Sequence, residues 1–113
     1  MQNTTRSTTD ASLQQHIGIL AETFRLLGDP TRLRILFFCL QGPKSVGDIA
    51  DSLGLSQTLV SHHLRLLRGA RLVRSERQAR HVFYELSDHH VRDMLRDMAT
   101  HISEDDATLD NDD

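Results

Sequence analysis

Residues Ser45 to Gly69 read SVGDIADSLGLSQTLVSHHLRLLRG: two short helical patterns separated by Gly54, with Ser56 placed to cap the second. Two such helices on either side of a glycine turn predict a helix-turn-helix. At about 100° per residue, Leu59, Val60, Leu64, Leu66 and Leu67 share one broad arc of the second helix, while Gln57, Thr58, Ser61, His62, Arg65 and Arg68 fill the opposite arc. His63 points toward the apolar arc and reads as a packing residue.

The flanking sequence supplies the rest of a small domain. Upstream, Leu13, Ile17, Leu20, Ala21, Phe24 and Leu27 recur at steps of three and four before Gly28, which predicts an amphipathic helix. Asp29-Pro30 is a helix start, aspartate at the N-cap and proline at the first position, and the strongly apolar helix it opens stops before Gly42-Pro43. Downstream, LVRSER and HVFYEL are β-prone runs joined through QAR, a hairpin with an arginine-rich tip. Ser87-Asp88 then caps a last helix whose Val91, Met94, Leu95, Met98 and Ile102 form a narrow stripe suited to a partner helix. The expected fold is mostly α with a β-hairpin wing, a winged helix-turn-helix over residues 12–104. It pairs as a homodimer through its terminal helices. The polar stretch 1–11 and the acidic stretch 105–113 are expected to be disordered tails.

Composition narrows the function. A chain of 113 residues has room for one domain, and its aromatic content stops at four Phe and one Tyr, a lean core of the kind that completes its burial in a dimer. The formal net charge is −3, but Glu104 to Asp113 carries six acids and no base, leaving thirteen bases over ten acids, +3, in the remainder. There is no apolar run of membrane-spanning length and no signal-peptide pattern, so the chain is expected in the cytoplasm with no membrane partner. The single cysteine, Cys39, rules out an intrachain disulfide and a thiolate-cluster metal site.

Between Leu55 and His81 stand Arg65, Arg68, Arg71, Arg74, Arg77 and Arg80 against one acid, Glu76. A local excess of +5 in an acidic molecule points to a polyanion. The set expected on double-stranded operator DNA is Ser56, Gln57, Thr58, Ser61, His62, Arg65 and Arg68 from the helix, with Arg77, Gln78 and Arg80 from the hairpin tip. Gln57 and Ser61 suit base edges, because amide and hydroxyl groups match groove donor and acceptor patterns, while arginines serve bases or phosphates.

The last helix concentrates Asp88, His89, His90, His101 and Glu104. His90 and His101 fall on one helix face but stand ~16 Å apart along the axis, too far to share one ion with metal–nitrogen bonds near ~2.1 Å. Two copies of the helix packed antiparallel would bring the start of one against the end of the other. Each of two equivalent sites then takes Asp88 and His90 from one chain and His101 and Glu104 from its mate. Two imidazoles and two carboxylates close a tetrahedral set that favours Zn(II) and tolerates Co(II). A hydrolytic zinc would need an open position for water, which four donors fill, so an enzyme is not expected.

The chain resembles the ArsR/SmtB family of winged-helix metal-sensing repressors. The resemblance rests on LGDPTRLRIL (27–36), DIADSLGLSQTLVSHHLRLLRGARLV (48–73), RQARHVFYELSDHH (77–90), and His101 with Glu104. It implies a zinc- or cobalt-responsive intersubunit site at Asp88, His90, His101 and Glu104, matching an Asp-x-His followed after ten residues by His-x-x-Glu. It also implies that a ligating imidazole, here His101, passes its second N–H to a carbonyl near the recognition helix, in the region of His62 and His63. The alternative on the same fold is a repressor responding to nickel or to a non-metal signal. Three departures stand out. The cysteine motif of other members is replaced by SVGDIAD, and His89 has no counterpart role. Ala79 occupies the hairpin tip where relatives often carry glycine, so a turn needing positive φ is expected to have a different geometry here.

Overall fold

The computed structural model describes the backbone of residues 2–112 and the side chains of residues 11–104. The tails expected at 1–11 and 105–113 lie outside the side chains so described, apart from Ala11, which is exposed. Seven elements follow one another: α1 (Gln2–Leu27), α2 (Pro30–Cys39), α3 (Val46–Leu53), α4 (Gln57–Gly69), β1 (Val73–Gln78), β2 (His81–Leu86) and α5 (His89–Asp112). This is the expected winged helix-turn-helix, with α3 and α4 as the helix pair and β1–β2 as the wing.

Each start is set by a local hydrogen bond that the sequence announces. Asp29 accepts from the Arg32 N–H at 2.9 Å and Pro30 opens α2. Ser45 and Asp48 form a reciprocal capping box on α3, and Ser56 Oγ accepts from the Leu59 N–H on α4. Asp88 Oδ1 accepts from the Val91 N–H at 3.1 Å at the start of α5. Gly54, at φ 69°, closes α3 in the left-handed conformation that glycine takes without a Cβ clash.

The end of α4 departs from the reading that placed it at Gly69. Leu72 N–H donates to the Leu67 carbonyl at 2.9 Å and Arg71 N–H to the Arg68 carbonyl at 3.0 Å, a Schellman closure centred on Arg71 at φ 61°. The left-handed position therefore falls on an arginine two residues beyond the glycine.

The core gathers Leu36, Ile49, Val60, Leu64, Leu67 and Leu86 among others, so α2, α3, α4 and the base of the wing bury their apolar faces against one another. Val60, His63, Leu64 and Leu67 are the buried face of α4, as the helical arc predicts, but Leu59 at its margin is exposed. Helix α1 departs further. Of its described residues only Leu26 and Leu27 are buried, while Leu13, Ile17, Leu20 and Phe24 are about half exposed or more (47–61%). On α5, Leu95 enters the core while Met98 and Ile102 remain exposed. The single chain offers these stripes nothing to pack on.

The wing pairs Val73 with Leu86 through Gln78 with His81, joined by Ala79 and Arg80. Ala79 sits at φ 56°. The expectation that a non-glycine residue would change the turn is thus overturned: the positive φ is kept, because the two-residue connection requires it to match strand twist, and alanine bears the strain. Backbone bonds in both directions between Lys44 and Tyr84, at 2.9 and 2.8 Å, tie the wing to the start of the helix pair.

Two stability measurements check these assignments. Ala79→Gly is expected to raise the urea midpoint with an unchanged slope, by about 0.5 kcal/mol, because relief of left-handed strain exceeds the entropy glycine adds to the unfolded chain. The Arg32 amide and its charge hold the Asp29 carboxyl below the usual aspartate range. A depressed folded-state pKa stabilises above the unfolded value and ceases to do so as pH falls through the folded one. Asp29→Ala is therefore expected to lower the midpoint at neutral pH, with the gap to wild type closing in acid.

Candidate nucleic-acid interface and metal centre

Packing of the inner α4 face decides what the outer face presents. With Val60, Leu64 and Leu67 in the core, Gln57, Thr58, Ser61, His62, Arg65 and Arg68 are all exposed. The first five line one shallow concavity along the helix. Ser56 sits at its N-terminal end with its oxygen committed to the cap, which leaves its hydroxyl proton to donate. A second cleft, bounded by Ser61, Arg65 and Arg68 of α4 and by Tyr84 of β2, lies where the recognition helix meets the wing.

Strand register sorts the hairpin residues. Val73, Ser75 and Arg77 face the same way as their partners Leu86, Tyr84 and Val82, the side that Val73 and Leu86 bury. Gln78 lies on the opposite face with Arg74, Glu76, His81, Phe83 and Glu85. There Arg74 pairs with Glu85 at 2.7 Å. Arg77, Gln78 and Arg80 are all exposed, but of the two strand residues only Arg77 lies on the side of the recognition helix. Tyr84 was read from the sequence only as part of an alternating β pattern. Its single signal there is a phenol in the middle of a strand, which does not distinguish packing from contact.

His63 is buried, in agreement with its reading as a packing residue, and its Nδ1 has no partner. Burial lowers its pKa, the nearby Asp29 opposes that shift, and Arg32 and His62 add to it, so it packs as a neutral ring. Burial likewise pushes the Cys39 thiol up to about 11. A thiol so protonated is a core filler and not a metal ligand.

On α5 the four expected metal donors are all exposed. Asp88 is at the cap with one carboxylate oxygen in the capping bond, and His90 follows within the first turn, its ring 4.0 Å from that of His89. His101 and Glu104 stand three residues apart toward the other end. Among the described residues of one chain, no three His, Cys, Asp or Glu side chains come together around a common point. The two halves of the donor set are thus presented at opposite ends of one helix, next to the exposed Met98 and Ile102. Their nitrogen and oxygen atoms fit a borderline divalent cation.

Comparison with known proteins agrees with this architecture. Residues 29–75 match the family model described as bacterial regulatory protein, arsR family. The chain is 41% identical over 87 residues to a protein of Synechocystis sp. named transcriptional repressor SmtB homolog, an alignment covering 77% of this chain and 66% of that one. This chain therefore spans slightly less than two thirds of that relative. Among solved structures, apo-NmtR superposes with a TM-score of 0.70 at 37% identity, covering 80% of this chain and 76% of that one. The structure titled as the cadmium metal-sensor CmtR from Mycobacterium tuberculosis superposes with a TM-score of 0.61 at 43% identity, covering 68% and 80%. Relatives of this kind carry the names of repressors and regulators, not of enzymes. With its helix-turn-helix, its wing and relatives matched over most of their fold, this chain belongs to the ArsR family of bacterial regulatory proteins.

Proposed function

We propose that the protein is a metal-responsive transcriptional repressor. The apo homodimer holds operator DNA, and Zn(II), or Co(II) in its place, releases it by binding at two intersubunit sites built from Asp88 and His90 of one chain with His101 and Glu104 of the other. The observation that carries this reading is the surface of α5: donors at its two ends and an uncovered apolar stripe next to them. Burying that stripe against a second copy, together with the exposed Ile17, Leu20 and Phe24 of α1, removes apolar area from water at about 25 cal/mol per Å². An antiparallel pairing of α5 helices then joins the half-sites. A repressor acting on the chromosome works in the cytoplasm, and no described helix is long and apolar enough to cross a membrane.

The donor chemistry selects among metals. A relative is titled a cadmium sensor, but soft ions want thiolate, and the only thiol of this chain is buried and protonated. Two imidazoles and two carboxylates complete four positions, as zinc and cobalt accept, whereas nickel takes more donors. A repressor answering to nickel or to a non-metal signal is the second reading, and a nickel response without a zinc response would favour it.

For metal to release DNA it must bind the two states of the dimer unequally. The imidazole of His101, once its metal-facing nitrogen is fixed, has one further N–H to direct at a carbonyl near the recognition helix, which couples ring orientation to the spacing of the two α4 helices. Couplings of this kind run to about 1–3 kcal/mol.

Fluorescence anisotropy on an operator duplex tests the proposal. Zinc is expected to release the DNA and a chelator to restore binding. His101→Ala is expected to bind DNA as wild type does and to ignore zinc; a variant still released by zinc would show the site to be elsewhere. Replacing Gln57 and Ser61 together with alanine is expected to compress the ratio of operator to random-sequence affinity by about tenfold or more, at about 1–3 kcal/mol for each lost base contact, while zinc affinity stays unchanged.

A further inference from the structure

The cleft between α4 and the wing has a composition that major-groove reading does not account for. It holds about 290 Å³ and is lined by Ser61, Leu64, Arg65, Arg68 and Tyr84. Leu64 forms its floor from the core. Everything else on its wall is a hydrogen-bond donor: two guanidinium groups, an aliphatic hydroxyl and a phenol. No carboxylate lines it, and strand register explains why. Both acids of the wing, Glu76 and Glu85, lie on the face turned away from α4, where Glu85 is engaged by Arg74. Arg65 and Arg68 form no ion pair with any described residue. Arg77, on the same wing face as Tyr84 and nearer the tip, extends the positive strip outward.

Tyr84 is fixed here more firmly than an exposed side chain would be. Its main chain is bonded in both directions to Lys44, and its half-buried ring packs against the core cluster. A phenol with its ring so anchored leaves the hydroxyl as its polar end for the cleft, at little cost in side-chain entropy. Two cations and two hydroxyls, drawn from separate elements and held around one hollow, complement a tetrahedral oxyanion that takes several hydrogen bonds at once.

We infer that this cleft grips one backbone phosphate of the bound duplex, with Arg65 and Arg68 supplying charge and the Tyr84 hydroxyl a fixed donor. The inference rests on the DNA-binding reading and adds Tyr84 to the contacting residues. One phosphate held between helix and wing sets the angle at which α4 enters the groove, so the contact acts on every sequence alike.

The test compares wild type, Tyr84→Phe, Arg68→Gln and the double variant, each as the full chain, for anisotropy on a labelled mixed-sequence duplex across a chloride series. Circular dichroism and thermal midpoints accompany each variant; Tyr84→Phe keeps the ring and the Lys44 bridge. Tyr84→Phe is expected to bind roughly fivefold more weakly with an unchanged salt slope, because it loses a neutral donor to a charged acceptor. Arg68→Gln is expected to bind roughly tenfold more weakly and to lower the slope by about one, the signature of one lost phosphate contact. The double variant is expected to lose less than the product of the two, since both groups hold the same phosphate. Wild-type affinity in Tyr84→Phe, or losses that simply multiply, would overturn the shared clamp while leaving DNA binding intact. A wild-type protein that binds no duplex overturns the DNA reading and the clamp together. Replacing chloride by inorganic phosphate at matched ionic strength is expected to change nothing further. Displacement of duplex from wild type but not from the double variant would instead make the cleft a site for free phosphate.

Discussion

Burial of the inner face of α4 is the constraint on which everything else in this molecule depends. Val60, Leu64 and Leu67 are nearly inaccessible, and each fully buried side chain of this size contributes about 1.5–3 kcal/mol relative to exposure. Helix α4 therefore cannot rotate about its axis without exposing them. With that rotation fixed, Gln57, Thr58, Ser61, His62, Arg65 and Arg68 share one solvent-facing surface whether or not DNA is present. The reading surface is pre-organised by packing, and a partner does not have to order it.

The same core is too small to absorb the terminal helices. Only the last two residues of α1 are buried among those described, and α5 contributes Leu95 while Met98 and Ile102 stay out. Apolar stripes left uncovered on two long helices are the physical argument for a second copy. They also explain why the half-sites for metal lie on the helix that the second copy would cover. Sensing and dimerisation then share one surface, so a cation between the chains acts on the relation between the two α4 helices rather than on either helix alone.

Strain is concentrated around the wing. Arg71 and Ala79 are the non-glycine residues with positive φ, one closing α4 before β1 and the other turning β1 into β2. Both positions would be easier for glycine. At Arg71 the Schellman bonds hold the conformation, and at Ala79 the register of the hairpin does. The wing is thereby brought against α4, where Tyr84 and the α4 arginines meet.

The sequence by itself determined the order and type of the elements, because caps and hydrophobic periods act over a few residues. Asp29-Pro30, Ser56 and Asp88 announced their helices, and the helical arc of α4 separated its buried residues from its exposed ones except at Leu59. The donors on the last helix were also legible, since eleven residues of α-helix fix both a common face and a separation. Other features arise between elements distant in sequence, and these only the tertiary structure decided. No local pattern says that Tyr84 borders the same cleft as Arg65 and Arg68, that strand register turns both wing acids away from it, or that α1 finds so little core to cover it. Nor could it say that the Ala79 turn keeps its positive φ. Those outcomes follow from how the hairpin register and the limited core volume are satisfied together, a balance of long-range packing against local preference that no window of sequence contains.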